Sequence, residues 1–553
     1  MKKRLTTVSV LLAAVMLLSF ALPLTAGADG YKDVEAGRWS EASVRYVSEK
    51  EYMQGVGGGR FDPEGSMTRA MVVTVLWRIE GKPEAGKSSF TDVPAGEWYA
   101  DPVAWAESTG VVSGVGGGKF DPDGKITREQ LATILYRYCS FKKLDVTEKG
   151  DISGFKDKDK IDSWATDAVS WAVGIGLIRG VTATSVDPLG NATREQVAAI
   201  LERFDKTDFV NLAELFAPIV EKVADYAEVM LDEVVAMRET NPNWDLIGSQ
   251  PGTLLMGLAE AGRWDYVGRV IDDWIENGSV KMTGEAGLLG YVLLGLYERT
   301  KDEKYLPVIE KLRKETAEWP KDQYGELYYG DPEQGGEIYV DGTGMFTPFI
   351  AKYASVFPDA TFVELDGTAL TAAEFAQLQV TNYYKFGVNR ITQRAYQGYT
   401  RGGSFQGEEG WGRGTGWFLF AVGPVMRFCP SDEIVEKSEK FIAKTMNYRM
   451  ENGMFSWSLS DVENVHSDSS ATGMILWGVI EAKKNGQFEN VSLGELTKSA
   501  KAILSDIQDG VVYGGTGASG GWGSYSDNYN ENNGWSQGGA LLFLAAYLNY
   551  LNS

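Results

Sequence analysis

The sequence predicts an all-α protein: a C-terminal (α/α)6 toroid preceded by three small helical repeats. Two sets of internal repeats predict it, together with the scarcity of strand-like alternation. In roughly the last half of the chain, one phrase recurs six times. A small or polar residue and a glycine open an apolar helix. The six versions are Ser249-Gln-Pro-Gly-Thr-Leu-Leu, Glu285-Ala-Gly-Leu-Leu-Gly-Tyr, Asp341-Gly-Thr-Gly-Met-Phe, Arg413-Gly-Thr-Gly-Trp-Phe, Ser470-Ala-Thr-Gly-Met-Ile and Trp535-Ser-Gln-Gly-Gly-Ala. Their glycines, Gly252, Gly287, Gly344, Gly416, Gly473 and Gly538, lie 35 to 72 residues apart. That spacing leaves room for an inner helix, an outer helix and loops per unit. The polar starters should converge at one end of the ring.

The chain has 553 residues, too many for one core. It opens Lys2-Lys3-Arg4, runs apolar from Val8 to about Leu24 and reaches Ala26-Gly27-Ala28. This reads as a secretory signal peptide over 1–28, and implies a secreted protein with no membrane span after cleavage. Three repeats follow at 29–89, 90–150 and 151–206. Each carries a tryptophan (Trp39, Trp98, Trp164), then Asp-Pro 23 positions later (Asp62, Asp121, Asp187), then arginine 30 positions after the tryptophan (Arg69, Arg128, Arg194). Thr68, Thr127 and Thr193 stand where N-caps of a second helix belong. From 207 to 553 comes the toroid. Its first helix, within Asp208–Met237, has apolar residues at Leu212, Leu215, Phe216, Ile219, Val220 and Val223.

The net charge of −23 argues against a nucleic-acid partner. Cys139 and Cys429 fall in different domains, so no disulfide framework is implied. His466 is the only histidine, which excludes His-rich metal sites. No metal and no cofactor are called for.

The threefold pattern, with Phe90-Thr91-Asp92-Val93 and Ile126-Thr127-Arg128-Glu129, resembles the S-layer homology domain. The resemblance implies binding of secondary cell-wall polysaccharide and a place on a Gram-positive-type wall or S-layer. It implies roles for Arg69, Arg128 and Arg194 and for Asp33, Asp92 and Asp157. A guanidinium at a helix start, added to the helix dipole, suits a carboxylate ligand. Trp39 and Trp98 are either stacking surfaces or packing between repeats. The third repeat departs at Phe155-Lys156-Asp157-Lys158 and Thr182-Ala183-Thr184-Ser185, where a weaker pocket is expected.

In the toroid, Gly290-Tyr-Val-Leu-Leu-Gly-Leu-Tyr, Tyr339-Val-Asp-Gly-Thr-Gly-Met-Phe and Trp411-Gly-Arg-Gly-Thr-Gly-Trp417 resemble segments of glycoside hydrolase families 88 and 105. Those families are unsaturated glucuronyl or galacturonyl hydrolases. They hydrate the 4,5-double bond of a terminal unsaturated uronic acid. The resemblance implies Asp341 as general acid and base, with Glu285 where the family usually has aspartate. It implies that Arg413 holds the uronate carboxylate or a hydroxyl, and that Trp411 and Trp417 stack on sugar. Trp244, Tyr339 and His466 complete the expected substrate-binding set. The family commonly places histidines earlier in the chain, and none is here. A carboxyl group suits the chemistry if burial or a neighbouring carboxylate raises its pKa. Asp341 is expected just before a helix capped by Thr347 with Pro348 at its first position.

Other carboxylates near the starters are Asp245, Asp331, Glu337, Glu408, Glu409 and Asp468. Two of them could instead serve an inverting hydrolysis of a saturated glycoside, which needs carboxyls ~6.5–9.5 Å apart. A non-catalytic toroid that binds polysaccharide is the other reading.

Overall fold

The structure is a computed structural model. It describes residues 30–237, 249–277, 285–330, 337–400, 403–484, 486, 488, 491–516, 529–531 and 533–553. The signal segment expected over 1–28 and Trp244, Asp245 and Asp331 lie outside the described residues. The chain divides into an N-terminal unit (30–141 and 148–208) and a C-terminal unit (142–147 and 209–553).

The N-terminal unit is three helical hairpins: α1 (Glu41–Glu49) with α2 (Arg69–Ile79), α3 (Ala100–Ser108) with α4 (Arg128–Phe141), and α5 (Thr166–Gly174) with α6 (Arg194–Asp205). The second helix of each repeat packs on the first helix of the next, and α6 returns to α1. A cyclic set of backbone bonds ties the centre. Ile126 N–H donates to the Met67 carbonyl, Ala192 N–H to that of Ile126, and Met67 N–H to that of Ala192. Thr68, Thr127 and Thr193 each accept from the N–H three residues on, as N-caps do. Asp62, Asp121 and Asp187 adopt left-handed backbone with φ of 60°, 60° and 51°, a conformation aspartate tolerates in a tight turn.

The C-terminal unit holds twelve α-helices among its described residues. The inner six are α8 (Ser249–Glu260), α10 (Ala286–Thr300), α12 (Val340–Val356), α14 (Gly412–Phe428), α16 (Ser469–Lys483) and α18 (Gly534–Asn552). The outer six are α7 (Leu212–Ala236), α9 (Trp264–Asn277), α11 (Leu306–Glu318), α13 (Ala372–Phe386), α15 (Asp432–Met446) and α17 (Leu493–Leu504). Successive inner helices pack side by side, and α18 closes on α8. This is the (α/α)6 toroid the sequence predicts. The inner helices are apolar nearly all round because both faces are covered: α14, α16 and α18 have almost no exposed residue. Outer helices such as α9 bury one stripe, Tyr266, Val267, Val270, Ile271 and Trp274.

The six repeated glycines explain how the ring closes. A Cβ on Gly252 would lie 2.8 Å from Leu288, on Gly287 2.2 Å from the Met345 carbonyl, and on Gly344 2.3 Å from that of Trp417. On Gly416 it would lie 2.8 Å from Met474, on Gly473 2.3 Å from Gly539, and on Gly538 2.7 Å from the Leu254 nitrogen. Each inner helix presses its glycine on the next, all the way round. The glycines are therefore contact points between neighbouring inner helices, four of them against backbone.

Strands are few and short. β1 (Ile338–Tyr339) pairs antiparallel with β4 (Tyr396–Tyr399), which pairs with β5 (Phe405–Glu409). β2 (Thr361–Leu365) and β3 (Thr368–Thr371) form a hairpin ahead of α13. Two further ribbons join Ile507–Gln508 to Val511–Val512 and Gly515–Thr516 to Tyr529–Glu531. The sheet matters because β1 runs straight into α12. That helix starts at Val340, not after Thr347, and Pro348 sits inside it. Packing on both neighbours carries the helix across a proline that would end an isolated one.

Candidate active site at the inner-helix N-termini

Outer and inner helices alternate along the chain, beginning with outer α7, so the six inner N-termini share one end of the toroid. Asp341 is in the first turn of α12 and half-buried. Burial pushes its carboxyl up to about 6; Arg413 opposes that and Glu285 adds to it. Asp341, Arg413 and Glu285, from three helix starts, therefore act on one another. Glu285 is the residue before α10. Its carboxyl is also raised by burial, while the backbone N–H and hydroxyl of Ser249 donate to it and pull the other way.

The neighbours come from the remaining starts. The Trp535 indole N–H donates to Ser249 Oγ at 3.1 Å, and the Gly534 N–H to Gln250 Oε1 at 2.9 Å. The Arg413 guanidinium lies over the Trp535 ring at 4.4 Å and the Trp411 ring at 5.3 Å. It is buried and donates to the Thr516 carbonyl at 2.7 Å. Thr516 in turn donates its hydroxyl to Asp468, whose other oxygen caps α16 through the N–H groups of Ser470 and Ala471. Asp468 is thus bound into a cap, fully buried.

Tyr329 has a phenol raised by burial to about 12, with Asp341 and Glu285 both contributing. It is 38% exposed, so it faces both carboxyls and solvent. Tyr339 meets it edge-on at 6.2 Å and is itself raised by burial, Glu337 and Asp341. Trp411 is buried beneath Arg413. Trp417 is 1% exposed with its ring on Phe420 at 5.4 Å, so it is core of the ring here and presents no face to a sugar. His466 stands on the loop leading into α16, its Nδ1 3.1 Å from the Ser467 carbonyl and its ring 6.5 Å from that of Trp457. Glu409 is taken up by Arg394, Thr392 and Asn389. Glu408 is exposed on β5. Among the described residues no group of three or more His, Cys, Asp or Glu is placed to hold a metal.

Sequence reasoning missed Tyr329, which lies in Leu327-Tyr-Tyr-Gly330 without a motif around it. Ser249 and Trp535 were legible only as openers of two of the six phrases.

In the N-terminal unit the guanidiniums of Arg69, Arg128 and Arg194 reach across to the next repeat. Arg69 donates to the carbonyls of Phe120 and Ser113, Arg128 to those of Val186 and Arg179, and Arg194 to those of Phe61 and Gln54. All three are buried. Asp33, Asp92 and Asp157 each accept two backbone N–H groups, one from the aspartate of the Asp-Pro pair and one from the residue before it. Asp157 also accepts from Ser185, so the divergent third repeat keeps this contact. Trp39, Trp98 and Trp164 are 62%, 56% and 51% exposed, so none is a buried core residue between repeats, although the Trp39 side chain still bonds Glu195 of the third repeat.

A family model for Glycosyl Hydrolase Family 88 matches residues 262–551, more than half of the chain. The chain belongs to glycosyl hydrolase family 88. S-layer homology models match 30–70, 89–132 and 154–198. A curated relative, an S-layer protein of Bacillus thuringiensis subsp. finitimus, is 31% identical over 198 residues, 35% of this chain and 24% of that protein. The chain therefore spans about a quarter of that relative's length. A solved structure of "a possible member of GH105 family" from Salmonella enterica serovar Paratyphi A matches at 17% identity, covering 62% of this chain and 96% of that one. Its TM-score is 0.51, a likeness of fold. The unsaturated glucuronyl hydrolase of Bacillus sp. GL1 is similar at 16% identity and TM-score 0.43, over 56% of this chain and 87% of that one. This family 88 member also carries the S-layer homology repeats of a cell-surface, wall-associated protein. Among its described residues no helix is long and apolar enough to cross a membrane.

Proposed function

We propose that the protein is a wall-anchored glycoside hydrolase that hydrates the double bond of a 4,5-unsaturated uronyl residue at the non-reducing end of an oligosaccharide. One observation carries this reading: Asp341, with its pKa raised to about 6, faces both Glu285 and Arg413 where the inner-helix N-termini converge. A carboxyl group at that value exchanges protons readily near neutral pH. Arg413 and the convergent helix dipoles favour an anionic sugar.

In this reading the protonated Asp341 gives its proton to C4, and positive charge develops at C5 and the ring oxygen. Water adds its oxygen to C5 and loses a proton to the Asp341 carboxylate. The hemiketal then opens to a C5 ketone and a C1 hemiacetal, and the hemiacetal breaks down to an aldehyde and frees the leaving sugar. Glu285 keeps the Asp341 proton in place before the reaction. Tyr329 and Tyr339 line the approach to the two carboxyls. The three exposed tryptophans of the N-terminal unit serve wall-polymer binding, while Arg69, Arg128 and Arg194 hold the repeats together around it.

The test is incubation with unsaturated uronyl disaccharides, following the ultraviolet absorbance of the double bond. Absorbance falls with wild type, and Asp341→Asn slows the fall by about 10²–10⁴-fold. Unchanged absorbance together with release of uronate from saturated substrates would replace hydration by inverting hydrolysis.

A further inference from the structure

Behind the first turn of α12 lies a buried acid cluster that the proposed reaction does not use. Glu326 is fully buried and Asp322 is 9% exposed. The loop holding them is pinned from α13: Gln379 bonds both the Leu327 N–H and the Gly325 carbonyl, and Asn382 donates to the Tyr324 carbonyl. Asp322 Oδ1 accepts from the N–H groups of Tyr324 and Glu326. Glu326 Oε1 accepts from the Thr343 hydroxyl at 2.8 Å. Thr343 is two residues beyond Asp341, on the same helical turn.

Three oxygens there are buried without a hydrogen-bond partner: Asp322 Oδ2, Glu326 Oε2 and the Tyr399 hydroxyl. The charged and titratable groups that act on Glu326 are few. Asp322 raises it further after burial, while Thr343 and Asn382 pull the other way. Tyr399 feels both carboxyls, and Tyr383, whose hydroxyl donates to the Tyr396 carbonyl, feels both Glu326 and Asp341. Among the described residues no cation pairs with either acid. A fully enclosed carboxyl beside a second one and without a cation, as Glu326 is, keeps its proton. The Tyr399 hydroxyl faces Asp322, and a protonated Glu326 leaves no unpaired charge in the enclosure.

We propose that Glu326 is a positioning residue for Asp341: a neutral acid that fixes the first turn of α12 by accepting the Thr343 hydroxyl. This rests on the reading of Asp341 as the acid of the reaction. Burial holds the Glu326 acid well above the usual carboxylate range, as the arrangement requires.

The conservative variant separates hydrogen bonding from charge. Glu326→Gln keeps an acceptor for Thr343 without an ionisable proton, and keeps kcat within about threefold. Glu326→Leu and Thr343→Val lose the link and lower kcat tenfold or more, with KM changed less than threefold. Wild type loses kcat on an alkaline limb that Glu326→Gln lacks, while the limb near pH 6 that belongs to Asp341 stays in both. Thermal unfolding gives a readout that needs no substrate: wild-type stability falls toward alkaline pH more steeply than that of Glu326→Gln. If Glu326→Leu does not fold, Thr343→Val and Glu326→Gln carry the test. Loss of activity in Glu326→Gln equal to that of Thr343→Val, or full activity in Thr343→Val, overturns the proposal. Either result leaves the limb near pH 6, and with it the role of Asp341, intact.

Discussion

Asp341 is held where its charge is unwelcome. Its folded pKa of about 6 lies above the ordinary value of 3.8, so the folded state binds a proton more tightly than the unfolded chain does. The sign follows from linkage: stability is fully present at low pH and falls as pH rises through about 6. The ionised group at pH 8 thus costs up to about 3 kcal/mol. Asp341→Asn is expected to melt higher than wild type at pH 8 and at about the same temperature at pH 4. An equal gain at both values would place the strain elsewhere. In the proposed reaction the protonated form is the active one, so kcat/KM should fall as pH rises through about 6. Loss of that limb in Asp341→Asn would assign it. The sequence marked Asp341 through its motif, but no motif could measure its burial. Glu285, Ser249 and Trp535 lie far from it along the chain, and only the ring brings them together.

At the scale of elements, the glycines of the inner helices are the weak points of the design. Gly344→Ala puts a Cβ 2.3 Å from the Trp417 carbonyl, a backbone atom that cannot swing away. It should destabilise by roughly 1–3 kcal/mol, read as a fall in urea midpoint at constant slope. Gly268, on outer helix α9, meets nothing closer than 3.7 Å. Gly268→Ala should stabilise by about 0.5–1 kcal/mol through helix propensity. Equal effects at the two sites would deny that the repeated glycines set helix spacing. The recurrence of glycine was legible in the sequence, and so was the helical character around it. The start of α12 was not. Thr347-Pro348 is a good local helix start, but β1 pairing and the packing of α12 between α10 and α14 begin the helix at Val340 instead. Tertiary contact overrode the local signal.

For the whole molecule, the two repeat systems suggest a division between holding the wall and acting on sugar. In the N-terminal unit the exposed and the buried markers should separate in experiment. Full-length Trp39→Ala/Trp98→Ala/Trp164→Ala should keep its melting temperature and lose sedimentation with purified Gram-positive walls. Arg69→Ala leaves the Phe120 and Ser113 carbonyls without their donor and should cost roughly 2–4 kcal/mol of stability. Undiminished pelleting by the triple Trp variant would remove the tryptophans from the wall site. The sequence by itself determined the architecture, because repeats report themselves as spacing: three arginines at one offset from three tryptophans, and six glycines ahead of six apolar helices. It also named Asp341, Glu285 and Arg413. The tertiary structure alone decided which markers work on solvent and which on the core. It exposed the tryptophans, buried the repeat arginines and Trp417, and enclosed Glu326 behind the first turn of α12. A residue's type fixes what it can bond, but whether water or protein supplies the partner depends on neighbours tens to hundreds of residues away.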